Sequence, residues 1–123
     1  MTNKELVLTA VVDVFNNRDL TAFDKYFTTN YIQHNPHIGD GIDAVKKFVT
    51  SLPKDFRYDT GVITESNNIV MIHTRLNNLF GKNYIGVDIF RVENGKIAEH
   101  WDVLQEEIPA EKTASGHPMF PAK

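Results

Sequence analysis

The stretch Gly86-Val87-Asp88-Ile89-Phe90-Arg91-Val92-Glu93-Asn94-Gly95-Lys96-Ile97-Ala98-Glu99-His100-Trp101-Asp102-Val103 decides the fold. Two runs rich in β-branched and aromatic residues flank an Asn-Gly pair, which reads as a β-hairpin. Its polar residues are unusual for a strand. A solvated sheet face carries Lys, Glu, Thr and Ser, whereas here one face presents Asp88, Phe90, His100 and Asp102, with Gly86 and Ala98 leaving room between them. Acids and an imidazole among aromatic and small residues have the character of a pocket wall.

That reading depends on register. A two-residue loop, Asn94-Gly95, sets Asp88 opposite Trp101. A three-residue loop, Glu93-Asn94-Gly95, pairs Val92 with Lys96 and sets Asp88 opposite His100. The second, a type I turn closed by a left-handed glycine, sorts the faces better. It puts Ile85, Val87, Ile89, Ile97, Trp101 and Val103 on one apolar side. Tyr84, Gly86, Asp88, Phe90, Ala98, His100, Asp102 and Leu104 take the other. A one-residue slip would mix the sets, so the three-residue loop is the expectation.

Upstream, the hydrophobic period is helical. Leu6, Val7, Ala10, Val11, Val14 and Phe15 mark a helix over 3–17, with Asn3 as a possible cap. Leu20, Phe23, Tyr26 and Phe27 mark a short helix over 20–27. Ile42, Val45, Phe48, Val49 and Leu52 mark a third over 42–52, stopped by Pro53. The segment from Thr28 to Pro36 is irregular or strand-like, and Pro36 limits it as a sheet strand. After Pro53 the period becomes two, with strands over 56–65, 69–80, 84–92 and 96–106. Three helices followed by an antiparallel meander is an α+β pattern. Residues 1–123 form one domain, with 107–123 an irregular tail carrying Met119 and Phe120 as an apolar hook.

Composition narrows the function classes. A chain of 123 residues with 41% hydrophobic residues has a small but workable core. A net charge of -3 with scattered basic residues argues against a nucleic-acid surface. The absence of cysteine excludes disulfides, thiolate chemistry and Cys-ligated zinc. No apolar run follows a basic start, so neither a signal peptide nor a membrane span is expected, and a cytoplasmic protein is the default.

The order of elements, with Tyr31-Ile32-Gln33-His34-Asn35-Pro36 and the run from Asp88 to Asp102, resembles the SnoaL-like polyketide cyclase family of the nuclear transport factor 2-like superfamily. The resemblance covers nearly the whole chain, and its most specific part is Glu-His-Trp-Asp after the Asn-Gly-Lys turn. It implies a curved antiparallel sheet wrapped against three N-terminal helices as a cone with a pocket inside. Relatives include aldol cyclases, isomerases, dehydratases, an epoxide hydrolase and members without catalysis, so it implies the pocket more sharply than the reaction. The cyclases resembled use a pocket acid to transfer a proton. Mapped here, that role falls on Asp102, with His100 beside it and Asp88 as the second acid. In some relatives the acid lies further along, where this chain has Leu104 and Gln105.

The expected function is therefore cofactor-independent proton transfer on a small apolar carbonyl or hydroxyl compound, of aldol cyclase, isomerase or dehydratase type. The alternatives are a non-catalytic pocket for a small hydrophobic molecule and a protein-interaction domain. Tyr31, His34, Asn35, His73 and Phe90 are the expected substrate contacts, with His73 open to either face. Each site residue has a bland alternative: Asp102 as a structural acid, His100 as a satisfied core histidine, and Asp88 as a partner of Arg75, Arg91 or His100. His34 and His37 are three apart, but such spacing alone is poor evidence for a metal, and no metal or cofactor is expected. Because the resemblance closes the mixed face with helices, the apolar face with Val87, Ile89, Trp101 and Val103 needs another cover, and a homodimer through that face is expected.

Overall fold

The computed structural model describes residues 1–122. Helix α1 (Asn3–Val11) continues as a π-helical turn, Val12–Asn16, and is followed by α2 (Ala22–Tyr26) and α3 (Ile42–Ser51). Five strands follow the order β1 (Phe27–Gln33), β2 (Arg57–Ser66), β3 (Ile69–Leu79), β4 (Lys82–Glu93) and β5 (Lys96–Glu106). Across the sheet they lie β1-β5-β4-β3-β2. The first turn of α1 is held by a reciprocal capping box between Thr2 and Glu5, so Thr2 and not Asn3 is the cap.

The sheet is mixed rather than wholly antiparallel, because β1 pairs with β5 in parallel while the other pairings are antiparallel. The backbone N–H of His34 continues this edge by donating to the His100 carbonyl at 3.0 Å. The segment that Pro36 limits is thus tied to the sheet before the proline is reached. That attachment places the Gln-His-Asn residues beside the final strand.

The terminal hairpin differs from expectation in register but keeps its division of faces. Glu93 pairs with Lys96 around Asn94 and Gly95, whose φ values are 50° and 75°. This is a two-residue turn of the twist-matched kind that favours Asn-Gly. Val92 then pairs with Ile97, but Arg91 pairs with Glu99, leaving Ala98 as a bulge. Beyond the bulge Phe90 faces His100 and Asp88 faces Asp102. The expected loop and the observed turn plus bulge differ by two residues of register, so side-chain parity is unchanged past Glu99. Ile97 is the exception, entering the core fully buried beside Phe90 and Val92.

The concave side of the sheet carries Val70, Ile72, Thr74, Leu76, Asp88, Phe90 and Val92, all buried. Leu6, Val7, Ala10, Val11 and Val14 from α1 and its π-helical end join this core, as do Val45 and Val49 from α3. Arg18 bonds the carbonyls of Phe15, Val49 and Pro53, fixing α3 to the end of the first helix. No side chain fits at Gly86, where Leu104 and the Val103 carbonyl fill the space a Cβ would take.

On the convex side the tail folds back over β3. Phe120 lies over Gly61, 5.1 Å from the His73 ring and 4.9 Å from the Arg75 guanidinium carbon. The Ala122 N–H donates to His73 Nδ1 at 3.1 Å. The apolar hook therefore covers the outside of the sheet and does not enter the cavity. Among the described residues, no helix is long and apolar enough to cross a membrane.

Candidate active site

A cavity of about 380 Å³ lies between the concave sheet and the helices. Every phenylalanine and tyrosine of the chain lines it except Tyr26 and Phe120. Its polar groups include Tyr31, Gln33, Asn35, His37, Tyr58, Asp88, His100 and Asp102.

At the centre is Asp88, 5% exposed, on β4. One carboxylate oxygen lies 2.7 Å from His100 Nε2. The other accepts from the Tyr58 hydroxyl. Asp88 is therefore a partner of His100, and neither Arg75 nor Arg91 reaches it. Arg75 is taken by Glu107 in a bidentate pair at 2.7 and 3.1 Å, and Arg91 by Glu99 at 2.8 Å.

Tyr58 is delivered to Asp88 from β2 by the π-helical turn. Asn16 bonds the Tyr58 backbone in both directions, donating to its carbonyl at 2.9 Å and accepting from its N–H at 2.8 Å. The Phe15 ring stacks on the Tyr58 ring at 5.3 Å. Burial, and then the adjacent Asp88 charge, push the Tyr58 phenol well up, so it stays a donor.

Gln33 decides the proton positions on His100. Its Oε1 accepts from the backbone N–H groups of His34 and Asn35, both at 3.1 Å. The amide oxygen is thereby oriented, and His100 Nδ1 lies 2.8 Å from it. Nδ1 must carry the hydrogen, since an amide oxygen only accepts. A single proton then occupies the line between Asp88 and His100 Nε2, held by one or the other. The Gln33 amide nitrogen donates to the Tyr31 hydroxyl at 3.1 Å. Among the described residues the Tyr31 proton has no acceptor, which leaves it free to donate into the cavity. Burial raises the Tyr31 phenol and keeps it neutral, with Asp88 and Asp102 adding to the effect.

Asp102 stands beside this chain, with its Oδ2 4.0 Å from His100 Nε2. Asn35 Nδ2 donates to both its oxygens, at 3.0 and 2.8 Å. The Asn35 amide is itself oriented, because its oxygen accepts from the His37 N–H at 2.8 Å. Burial pushes the Asp102 carboxyl above its ordinary value and the Asp88 charge adds to this, against the Asn35 bond and the charges of His100 and His37.

The structure thus brings together Tyr31, Asn35, Asp88, Phe90, His100 and Asp102 as expected. It places His34 and His73 elsewhere. His34 lies on the convex side, stacked on Trp101 at 4.8 Å with Nε2 2.6 Å from Glu99. Its neighbour Gln33 takes the inward direction, and successive strand residues point to opposite faces. His73 pairs with Val87 on the outer face and is covered by Phe120. The inward positions of β3 that flank it are Ile72 and Thr74, both fully buried. Tyr58 and Gln33 were missed as site residues, and His37, expected at the surface, is exposed yet lines the cavity. The buried parity of Tyr58 between Arg57 and Asp59 was visible, but not its partner across two strands.

Asp88, His100 and Asp102 also have the composition of a metal set, with ligand atoms within 4.8 Å of one another. Two ligands on one zinc at tetrahedral angles sit about 3.3 Å apart. The Asp88–His100 separation of 2.7 Å is a hydrogen bond, and a cation would have to open it.

Residues 8–100 match the model of the SnoaL-like domain family, and the chain belongs to that family. No curated protein matches the chain. Among solved structures, it is similar to an NTF2-like protein of unknown function from Cytophaga hutchinsonii, with 20% identity, a TM-score of 0.74, and coverage of 85% of this chain and 91% of that one. A proposed polyketide cyclase from Acidithiobacillus ferrooxidans is similar at 17% identity and TM-score 0.71, over 85% of this chain and 88% of that one. A proposed ketosteroid isomerase from Kribbella flavida is similar at 16% identity and TM-score 0.73, over 98% and 91% of the two chains. These likenesses establish the nuclear transport factor 2-like fold, which is α+β with a curved five-stranded sheet.

Proposed function

We propose that the protein is a cofactor-independent acid–base enzyme acting on a small apolar compound that bears a carbonyl or hydroxyl group. Asp102 removes a proton from the carbon beside the carbonyl, and the electron pair moves onto the carbonyl oxygen. Tyr31, whose hydroxyl has no acceptor among the described residues, donates to that oxygen as it gains charge. His100 and Asp88 hold one proton between them beside Asp102 as a pair without net charge, while Phe90 and the other rings bind the apolar body. Return of the proton from Asp102 to another carbon completes an isomerisation; in an aldol closure the enolate carbon attacks a second carbonyl, whose oxygen takes the π electron pair and then the proton from Asp102.

The observation that carries this reading is the gathering of Asp88, His100 and Asp102 inside an otherwise aromatic cavity. The similar structures bear names of cyclase and isomerase type, which agrees with proton transfer but leaves the reaction open. The test is hydrogen–deuterium exchange at the α-carbon of a panel of aryl ketones, followed by NMR. Asp102→Asn is expected to slow exchange by about 100- to 10,000-fold. Unchanged exchange would remove the base assignment.

One observation favours binding without catalysis. The chain Tyr58–Asp88–His100–Gln33 is internally hydrogen-bonded and needs no ligand to satisfy it. On that reading an aryl ketone binds, yet its α-hydrogens exchange at the solvent rate.

We also propose that the convex face forms a homodimer. Val103 is 71% exposed there, with Trp101, Val87 and Ile89 only half-buried in the single chain. An apolar patch left open on a sheet marks an interface, and a two-fold axis pairs it with itself.

A further inference from the structure

Among the described residues the chain makes three antiparallel hairpins, and each has a two-residue loop with a left-handed first residue. In two of them that residue is asparagine: Asn67 at φ 54° and Asn94 at φ 50°. Asparagine and glycine tolerate this conformation, whereas a bulky side chain there is rare and strained. The β3–β4 hairpin breaks the pattern. Its loop is Phe80-Gly81, and Phe80 is held at φ 51°. The hairpin keeps this form through Asn78, whose side chain accepts from the Gly81 N–H at 2.8 Å and donates to Asp55 at 2.6 Å.

The misplaced aromatic is not a core residue, since 59% of it is exposed. Yet it lines the cavity, so it stands where the cavity meets solvent. Its ring meets Phe48 of α3 edge-on at 6.3 Å. The strand from Lys82 to Asp88 spans about 20 Å, which puts the hairpin tip far from the acid cluster. Local backbone preference asks for asparagine here, and folding gains little from an exposed ring. Strain of this kind is kept where a contact beyond folding needs it.

We propose that Phe80 is a specificity-determining residue of the cavity mouth, whose ring closes with Phe48 over the apolar end of the bound molecule, at the far end from Asp88, His100 and Asp102. The inference rests on the reading of the cavity as a site for a small apolar compound. It adds that the site selects compounds long enough to reach from the acids to the mouth, and apolar at that distal end.

The test compares wild type, Phe80→Asn, Phe80→Leu and Asp102→Asn for thermal unfolding and for uptake of a neutral anilinonaphthalene dye by fluorescence. Phe80→Asn puts the locally preferred residue into the turn, so its melting temperature is expected to equal or exceed that of wild type. Its dye affinity is expected to fall roughly tenfold, the loss of part of one aromatic contact. Phe80→Leu keeps an apolar side chain and is expected to lose less affinity. Dye affinity in Phe80→Asn equal to wild type, with Asp102→Asn also binding, would overturn the role of Phe80 alone. A fall in melting temperature together with affinity would make Phe80 a packing residue and overturn it as well. No dye uptake by wild type would overturn the cavity reading and this inference with it.

Discussion

His100 Nδ1 donates to Gln33 Oε1 across 2.8 Å, joining the final strand to the parallel edge strand beside it. The Gln33 oxygen is held by two backbone donors, so the tautomer of the imidazole follows from chain geometry alone. In ¹⁵N NMR of the wild type, Nδ1 of His100 is expected to carry its hydrogen throughout the neutral range. Gln33→Leu removes the acceptor and should give a mixed population of tautomers. A wild-type Nδ1 without hydrogen would contradict the arrangement.

Tyr58 bonds a carboxylate that has almost no access to water. Tyr58→Phe leaves that oxygen of Asp88 without a donor, at a cost of about 1–3 kcal/mol. Urea unfolding at neutral pH should register the loss. Alkaline absorbance titration offers a second check: because the phenol is raised well above its usual value, wild type and Tyr58→Phe should yield the same phenolate signal near pH 10 until unfolding begins.

The raised Asp102 carboxyl makes stability depend on pH with a definite sign. The folded chain holds this proton more tightly than the unfolded one. Its contribution is complete below the unfolded aspartate value and is lost as pH rises through the higher folded value. Asp102→Asn is neutral at every pH and escapes that loss. The variant loses one of the Asn35 bonds at every pH, so the sign lies in the trend: its melting temperature relative to wild type should rise from pH 3 to pH 7. A relative melting temperature that falls over that range would show that the carboxyl is lowered instead.

Val103 offers the sharpest probe of the convex face because it is the most exposed apolar side chain of the final strand. Val103→Glu buries no core atom and should leave the fold intact. Sedimentation equilibrium is expected to show a dimer for wild type at micromolar concentration and a monomer for the variant. A wild-type monomer at that concentration would remove the interface.

Much of the candidate site's geometry was legible because the hairpin is local. Asp88, Phe90, His100 and Asp102 share a face for reasons of period, and that held although the turn has two residues and Ala98 bulges. Tyr31 and Asn35 were also legible, as an aromatic and an amide in a short irregular or strand-like segment. His34 and His73 were not, because a histidine suits either side of a half-buried strand. Neighbours settled both: Trp101 and Glu99 hold one, and Phe120 covers the other. Gln33 carried no local mark, and Tyr58 none beyond its strand parity, since their importance lies in partners 67 and 30 residues away.

Alternation along a strand is written in adjacent residues, so the primary structure was enough to say which side chains look inward together. Which inward groups touch depends on parallel pairing at the edge, on a π-turn aligning β2, and on a tail laid across the back. Those are contacts between distant segments, chosen by how whole elements pack, and only the folded chain brings them about.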